Sequence, residues 1–389
     1  NTVNHAMDDT KRPKDQAPVH MDMPGTSRTA GFYTDAQWTL GSRHHVTTRL
    51  NGYRNRLHAE MTMYPDGAAS MFMLTIPDAR RDVIGLDVSD KIGLTPKTEL
   101  IAGVRTDYTG SSVYSAAGRQ LLSGMYAGNL NRNHIVYNAY LNGQYRATDH
   151  WLLHANAARA MRAATLQEMY GFYLFNRTDG FDYIGNPYLH KETSWNLSTG
   201  ARFHQKLFTL EGQAFAYIFK NYIAGEPLAG YSVMTMGANG VKQYGNISSA
   251  VLYGAEATAL VKPFSFLNIK SSNTYTRGRD ADRNALPFIA PFKSVNTVSV
   301  FWKGYSLSAT SVYAAAQHHV STEKYGELPS KAYTIANLSA GRSFLLEPVV
   351  LDCHVGVVNL FDNNYYEHLD VLKLPRQGRN IVMHLTVRF

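Results

Sequence analysis

Long stretches of alternating hydrophobic and polar residues run through this chain. In the segment HIVYNAYLNGQYRA, which begins at His134, an apolar or small residue stands at every second position from Ile135 to Leu141. A period of two predicts β-strands with one apolar face. The alternating segments are about 10 to 17 residues long, whereas an ordinary strand has roughly 5 to 6 residues. A tilted strand needs about 9 to 11 residues to cross a membrane, so the pattern predicts membrane-crossing strands.

The breaks between these segments alternate between short and long. Short breaks are predicted near Gly41–Ser42, Thr95–Pro96, Thr148–Asp149, Lys206–Leu207, Pro263–Phe264, Gly304–Tyr305 and Leu346–Glu347. Long polar connections are predicted over Asp8 to Thr26, Thr62 to Asp78, Gly110 to Asn131, Ala164 to Lys191, Gly225 to Ser248, Gly278 to Pro287, Ser321 to Ser330 and Phe361 to Arg379. Short turns on one side and long loops on the other are typical of outer-membrane barrels. We count about 16 strands, including a first stub from Asn1 to Met7.

Composition supports an all-β membrane protein. Only 17% of residues are charged and 25 are tyrosines, yet the mean hydropathy is −0.27 and no run of about 18 apolar residues occurs. A helical membrane protein is therefore excluded. A soluble sandwich or propeller is the alternative, but its strands would be shorter. We predict a transmembrane antiparallel β-barrel with short periplasmic turns and long extracellular loops.

Charge and cysteine content narrow the possible partners. The net charge of +8 would permit nucleic-acid binding, but the basic residues are scattered singly along the chain. On a barrel they meet lipid phosphates or line the lumen, so we expect no nucleic-acid partner. The single cysteine, Cys353, excludes an intrachain disulfide.

Five stretches in order resemble motifs of the TonB-dependent outer-membrane receptor family. They are ARAMRAATLQEMYG from Ala158, GNPYLHKETSWNLSTGARF from Gly185, GAEATALVKP from Gly254, GVVNLFDNNYYEHLD from Gly356 and GRNIVMHLTVRF from Gly378. The resemblance implies a transporter, not an enzyme, in the outer membrane of a Gram-negative bacterium. It also implies a closed 22-strand barrel preceded by a plug domain that contacts the TonB complex.

Nothing in the sequence resembles that plug. We therefore interpret residues 1–389 as the C-terminal portion of a receptor barrel, with about 16 of the 22 expected strands and without the plug and first strands. Outer-membrane lipid and lipopolysaccharide are the expected surroundings of the barrel. TonB would be contacted through the missing plug, and the protein is expected to be a monomer.

Methionines and histidines form the one constellation that points to a ligand. Thirteen methionines include four Met-x-Met pairs, and residues i and i+2 share one face of a strand. Thioether sulfur selects Cu(I), and imidazole suits copper generally. Methionine that merely fills gaps in loop packing is the alternative. The predicted metal ligands are His5, Met7, His20, Met21, Met23, Met61, Met63, Met71, Met73, Met234 and Met236.

The stretch VNHAMDD resembles the His-x-Met motif of the TonB-dependent copper receptors. The resemblance implies that His5 and Met7 are copper ligands and that a Cys-x-x-x-Met motif in the plug supplies the others. Copper would then be the transported ligand. A ferric siderophore, haem or a corrinoid is the alternative cargo, held by aromatic side chains. Tyr126, Tyr183, Tyr188 and Tyr231 are the candidates for that surface. A passive porin or an outer-membrane enzyme such as a lipase is the alternative of another class.

Two further expectations concern ordinary residues. On the closing strand, one parity is predicted to face lipid: Ile381, Met383, Leu385, Val387 and Phe389. In the loops, Asp179, Asp182 and Glu192 are interpreted as solvated charges. No Ser/His/Asp spacing or glycine-rich phosphate loop occurs, so no catalytic residues are predicted.

Overall fold

The computed structural model describes residues 2–5, 19–65, 67–370 and 373–389. Its three helices within these residues are α1 (Ala116–Ser123), α2 (Leu166–Tyr170) and α3 (Thr322–Tyr325). In the same ranges, no helix is long and apolar enough to cross a membrane. The strands are β1 (Thr2–His5), β2 (Val19–Asp22), β3 (Gly25–Leu40), β4 (His44–Pro65), β5 (Met71–Thr95), β6 (Thr98–Val113), β7 (Arg132–Arg146), β8 (Trp151–Arg162), β9 (Leu174–Asn176), β10 (Phe181–Ile184), β11 (Glu192–His204), β12 (Phe208–Pro227), β13 (Val241–Phe264), β14 (Leu267–Asp280), β15 (Lys293–Trp302), β16 (Tyr305–Ala314), β17 (Tyr333–Leu346), β18 (Val349–Val358) and β19 (Asn380–Arg388).

The long strands form one antiparallel sheet in chain order. They are the six from β3 to β8 and the nine from β11 to β19, and the stub β1 pairs with β3 outside them. These fifteen strands and the stub agree with the predicted number of about 16. The short β2 extends the loop end of β4, and β10 joins β13 in parallel. Among the described residues no ladder joins β19 to β1 or β3, so this part of the chain forms an open wall.

All seven predicted short breaks are tight connections at one end of the sheet. The long connections from Gly110 onward gather at the other end, as predicted. Most of the first predicted connection, Asp8 to Thr26, lies outside the described residues, and the second is an exception. The range from Thr62 to Asp78 is mostly strand, because β4 continues to Pro65 and β5 begins at Met71. Prediction of a long loop there was wrong. The polar residues after Pro65 form only a short turn between the two strands. In β4 just before this turn, buried side chains alternate with more exposed ones.

The closing strand presents the predicted parity outward. Ile381 and Met383 are each 72% exposed and Phe389 is fully exposed. The other parity is polar except for Val382, and Arg388 pairs with Asp352 at 2.7 Å. Because directly paired residues in a ladder share one face, this outward row can be followed through every ladder as far as β3. It is apolar along most of its length, as a lipid-facing surface requires.

The main hydrophobic core lies beneath the long loops, at the loop end of the sheet. It contains Leu122 of α1, Met169 and Tyr170 of α2, and Ile76 of β5, all almost completely buried. α2 begins with a capping box between Thr165 and Glu168. Such a box satisfies two N–H groups that a helix end leaves unpaired, so even this short helix is well defined.

Loop charges are tied into this core, and the prediction that they are solvated was wrong. Arg162 donates to Glu168 at 2.8 Å and to Glu192 at 3.0 Å. Glu192 also accepts the Ile223 N–H at 2.9 Å. Asp182 is fully buried. Burial of a carboxylate is costly unless donors satisfy it. The folded loops bring such donors from distant segments, although for Asp182 they reach only Oδ2 and leave Oδ1 without a hydrogen-bond partner among the described residues.

The last loop, residues 359–379, is pinned to its neighbour in the same way. The buried His368 places Nδ1 2.9 Å from Ser330 Oγ and Nε2 3.1 Å from Glu327 Oε1. Glu327 Oε1 also accepts the Phe288 N–H at 2.8 Å. His368 and Glu327 together therefore join three long connections.

Candidate metal site at the loop end of the sheet

Five of the predicted methionines lie on one face of a three-stranded sheet, and Met23, just after β2, packs against their buried centre. β2 and β5 flank the loop end of β4. Met63 stands directly opposite Met21 on one side and Met71 on the other. Two residues along β4, Met61 stands opposite Met73. Paired and alternate residues share a face, so the strands form two rows of thioethers. We call Met21, Met23, Met61, Met63, Met71 and Met73 the methionine patch.

The methionine patch is buried at its centre and open at its edge. Met61, Met63 and Met73 are 1%, 8% and 6% exposed, whereas Met71 is 38% exposed. Met21 and Met23 are half-buried and pack against this centre, as does Met234 from the 228–240 connection. A partly exposed methionine therefore stands in the same row as the buried Met63.

Two aromatic residues cover the patch. Phe172 and Tyr173, just after α2, pack against its methionines and meet edge to face at 5.0 Å. The Phe172 N–H donates to the Thr75 carbonyl at 2.8 Å, which fixes the cover to β5. Tyr173 has φ +51°, a left-handed conformation that bulky residues rarely adopt. Burial raises the pKa of the Tyr173 phenol, so at neutral pH this side chain offers no anionic oxygen to a cation.

The anchor of the Met234 segment is Asp182. Its Oδ2 accepts the N–H groups of Met234 at 2.8 Å and Thr235 at 2.9 Å. Sequence analysis missed this role, as it missed Phe172 and Tyr173. No motif marks them, because their contacts come from loop packing across long sequence separations.

The other predicted ligands are placed differently. Met236 is 48% exposed and lies outside the methionine patch. His20 pairs with Tyr64, one position from Met21 along β2, so strand alternation directs it to the opposite face. His5 ends β1 opposite Gly25. The His5 side chain and the whole of Met7 lie outside the described residues.

Imidazole, thiolate and carboxylate ligands do not form a cluster in the described part of the chain. There, no group of three or more His, Cys, Asp or Glu side chains is arranged to hold a metal ion. The candidate site is therefore one of thioether sulfur. Such a site suits a soft monovalent ion rather than Zn²⁺ or Mg²⁺.

A buried lysine holds together the loops beside the patch. Lys242 is 1% exposed and donates to Asp179 Oδ2 and to the Tyr325 carbonyl, both at 2.6 Å. Its Nζ lies 4.1 Å from the centre of the Phe181 ring. The Tyr183 hydroxyl donates to the same Asp179 oxygen at 2.7 Å. The sequence did not indicate this ion pair, because Lys242 and Asp179 are 63 residues apart and neither belongs to a recognisable motif.

Comparisons with known proteins address the chain as a whole. A family model described as TonB dependent receptor-like, beta-barrel, matches residues 5–360. No curated protein sequence matches. Among solved structures, the chain superposes on the copper transporter OprC with a TM-score of 0.81 at 19% identity, over 98% of this chain and 60% of that one.

Structures of iron receptors are similar too. The ferric citrate transporter FecA gives a TM-score of 0.70 at 16% identity, over 96% of this chain and 56% of that one. The ferric yersiniabactin uptake receptor FyuA from Yersinia pestis gives 0.65 at 14% identity, over 96% and 54%. At these identities the likeness establishes the fold. This chain spans little more than half the length of these proteins.

Proposed function

Because the chain belongs to the TonB-dependent receptor β-barrel family, we propose that it forms the wall and extracellular mouth of a receptor that takes up copper. The family lies in the outer membrane of Gram-negative bacteria, which confirms the predicted location. It consists of receptors and transporters rather than enzymes. The choice of copper is our proposal.

One observation carries that choice, the methionine patch. Methionines from three strands share one face in two paired rows. Thioethers bind Cu(I) in preference to the hard cations that are abundant outside the cell. The superposition on a copper transporter supports the same cargo.

The geometry supports a stepwise capture. Met71 is exposed and stands opposite the buried Met63. An ion taken up at the rim would pass to buried sulfurs that exclude water and competing ligands. Phe172 and Tyr173 close the patch on its inner side. We propose that His5 and Met7 bind the ion at a later stage, as the sequence motif predicts.

We further propose that residues 1–389 are the C-terminal portion of the receptor barrel, with the plug contributed by preceding sequence. The described sheet is open, and lipid does not tolerate unpaired strand edges. The chain also covers 60% of the OprC chain. In the complete receptor, contact with the TonB complex through the plug would drive release of the ion.

A ferric chelate is the second candidate cargo. The iron receptors of similar fold favour it, and so does Tyr231, which is 46% exposed. Two of the predicted aromatic contacts are unsuitable, however. Tyr126 and Tyr183 are 9% and 4% exposed, and their hydroxyls bond within the loops. A passive porin is disfavoured by family membership.

The test removes the buried thioether sulfurs of the methionine patch while it preserves the side-chain volume. In the complete receptor, Met61, Met63 and Met73 are replaced by leucine, a swap that cores tolerate well. Cu(I) binding is then measured by chelator competition and bound copper by elemental mass spectrometry. The matched control is Met383→Leu on the lipid face.

We expect the triple variant to bind Cu(I) at least about tenfold more weakly, since each lost ligand removes a metal bond. The control should match the wild type. Unchanged Cu(I) affinity in a folded triple variant would refute capture by the patch. Copper-independent uptake of a ferric siderophore by the wild type would favour the second cargo. His5→Ala with Met7→Ala tests the predicted motif separately.

A further inference from the structure

The outward face of β3, β4 and β5 changes character near the loop end. Its last apolar row runs through Phe32, Gly52 and Ile84, which are directly paired. Phe32 and Ile84 are 57% and 50% exposed, as lipid-facing side chains should be. This row belongs to the same outward parity as the exposed residues of the closing strand.

Arginines occupy the next two outward rows toward the loops. In the first, Arg54 stands opposite Asp82. In the second, Arg56 stands between Arg28 and Arg80. Neighbouring strands lie about 4.8 Å apart, so the backbone positions of these three arginines span roughly 10 Å. We call Arg28, Arg54, Arg56 and Arg80 the arginine patch.

The charges of the arginine patch are incompletely balanced. Asp82 accepts from Arg54 at 2.5 Å and lies 3.2 Å from Arg80. Arg56 lies 5.7 Å from the centre of the Tyr114 ring. Within the described residues, neither Arg28 nor Arg56 forms an ion pair with a carboxylate. Four arginines against one aspartate leave these two rows with a charge of +3 (4 − 1).

The row beyond the patch is acidic, because it holds two carboxylates beside one imidazole. There His58 lies 2.8 Å from Asp78 and 3.3 Å from Glu60. The excess positive charge is thus confined to a band directly above the apolar face. A shallow cleft opens at its upper border, lined by Thr26, Arg28, Arg56, His58, Asp78 and Tyr114.

We infer that the arginine patch binds the phosphate groups of a phosphorylated glycolipid in the outer leaflet of the membrane. Arginine is suited to phosphate because its planar guanidinium donates two parallel hydrogen bonds. The apolar row directly below would contact the acyl chains of the same molecule. Phosphate directly above acyl chain is the arrangement of a lipid A headgroup, and a free phosphate ion would make no use of the apolar row.

The experiment uses the complete receptor in detergent and native mass spectrometry. Bisphosphorylated lipid A is added to the wild type and to an Arg28→Gln, Arg56→Gln, Arg80→Gln variant. The same titration is made with dephosphorylated lipid A that carries identical acyl chains. The control is Arg342→Gln, because Arg342 shares the outward parity but lies at the opposite rim, stacked on Tyr305 at 4.5 Å.

We expect the wild type and the control to retain bound bisphosphorylated lipid A. Each lost charge-assisted contact weakens binding about tenfold, so occupancy of the triple variant should fall at least tenfold. Wild-type preference for the phosphorylated form should be lost with it. Equal occupancy of the triple variant, or equal binding of dephosphorylated lipid A by the wild type, would overturn the inference. A dimer peak lost in the triple variant, without lipid, would overturn it in favour of contact between receptor copies.

Discussion

Removal of the buried Lys242 charge should open the loops at the mouth without unfolding the barrel. In Lys242→Met the aliphatic stem is kept, but Asp179 remains buried and loses its cation. Its carboxylate then keeps two uncharged donors, the Tyr183 hydroxyl on Oδ2 and the Phe181 N–H on Oδ1. Both side chains of the ion pair are at most 4% exposed. Removing one partner of such a pair typically costs about 3–5 kcal/mol. The Tyr325 carbonyl also loses its donor, which places the cost within that range rather than below it.

Hydrogen exchange at amides that depend on this contact measures the cost. Asp182 N–H donates to the Gly240 carbonyl at 3.0 Å, and Asn239 N–H donates to the Gly180 carbonyl at 2.7 Å. A loss of about 3 kcal/mol would accelerate their exchange by more than about a hundredfold. Amides in the middle of β15 and β16 should be unaffected, because they belong to a separate part of the wall.

A double-mutant cycle decides whether the ion pair is responsible. Lys242→Met combined with Asp179→Asn removes both charges, so the double variant should exchange more slowly than Lys242→Met alone. Lys293→Met is the matched control, because its side chain is 37% exposed and its partner Glu367 is 31% exposed. It should cost about 1 kcal/mol or less. The reasoning is refuted if Lys242→Met costs less than the control, or if the second substitution gives no recovery.

Two further predictions concern the loops. A methyl group at Gly185 would lie 2.7 Å from backbone atoms of Met169 and Tyr170. Gly185→Ala should therefore destabilise the loop core by about 1–3 kcal/mol, and unaltered exchange at the Tyr170 amide would contradict this. In the last loop, the Arg376 hydrogen bond holds the pKa of Asp370 below its ordinary value of 3.8. Its stabilisation is therefore present above that pH and lost as pH falls through the lowered value. Exchange at the Glu367 amide, which donates to Asp370 at 2.7 Å, should accelerate there after correction for intrinsic rate, and a pH-independent corrected rate would contradict the assignment.

The barrel wall was predictable because apolar and polar residues alternate along its strands. Alternation fixes which face of a strand meets lipid, and turn residues mark where each hairpin ends. The seven short breaks and the lipid-facing parity of β19 followed from these two rules. The same rules placed Met61 with Met63 and Met71 with Met73.

Loop structure was not predictable on the same basis. The pairing of Met61 with Met73 requires β4 and β5 to continue to Pro65 and from Met71, where the polar sequence had indicated a loop. Burial of Asp182 depends on N–H groups about fifty residues away. A single sequence carries no periodic signal for such contacts, and tertiary packing overrides local polarity.

The linkage between the last loop and its neighbours has a consequence for how the cell surface is recognised. His368 of the last loop bonds to Ser330 and Glu327 of the connection between β16 and β17, and Glu327 accepts the Phe288 N–H from the connection before it. Lys242 joins the Tyr325 carbonyl to Asp179. The surface at the loop end is therefore formed by segments that are distant in sequence and fixed to one another by these contacts. Antibodies or phage that recognise it would read a conformational epitope. A synthetic peptide copied from any one of these loops would be a poor immunogen for the intact receptor.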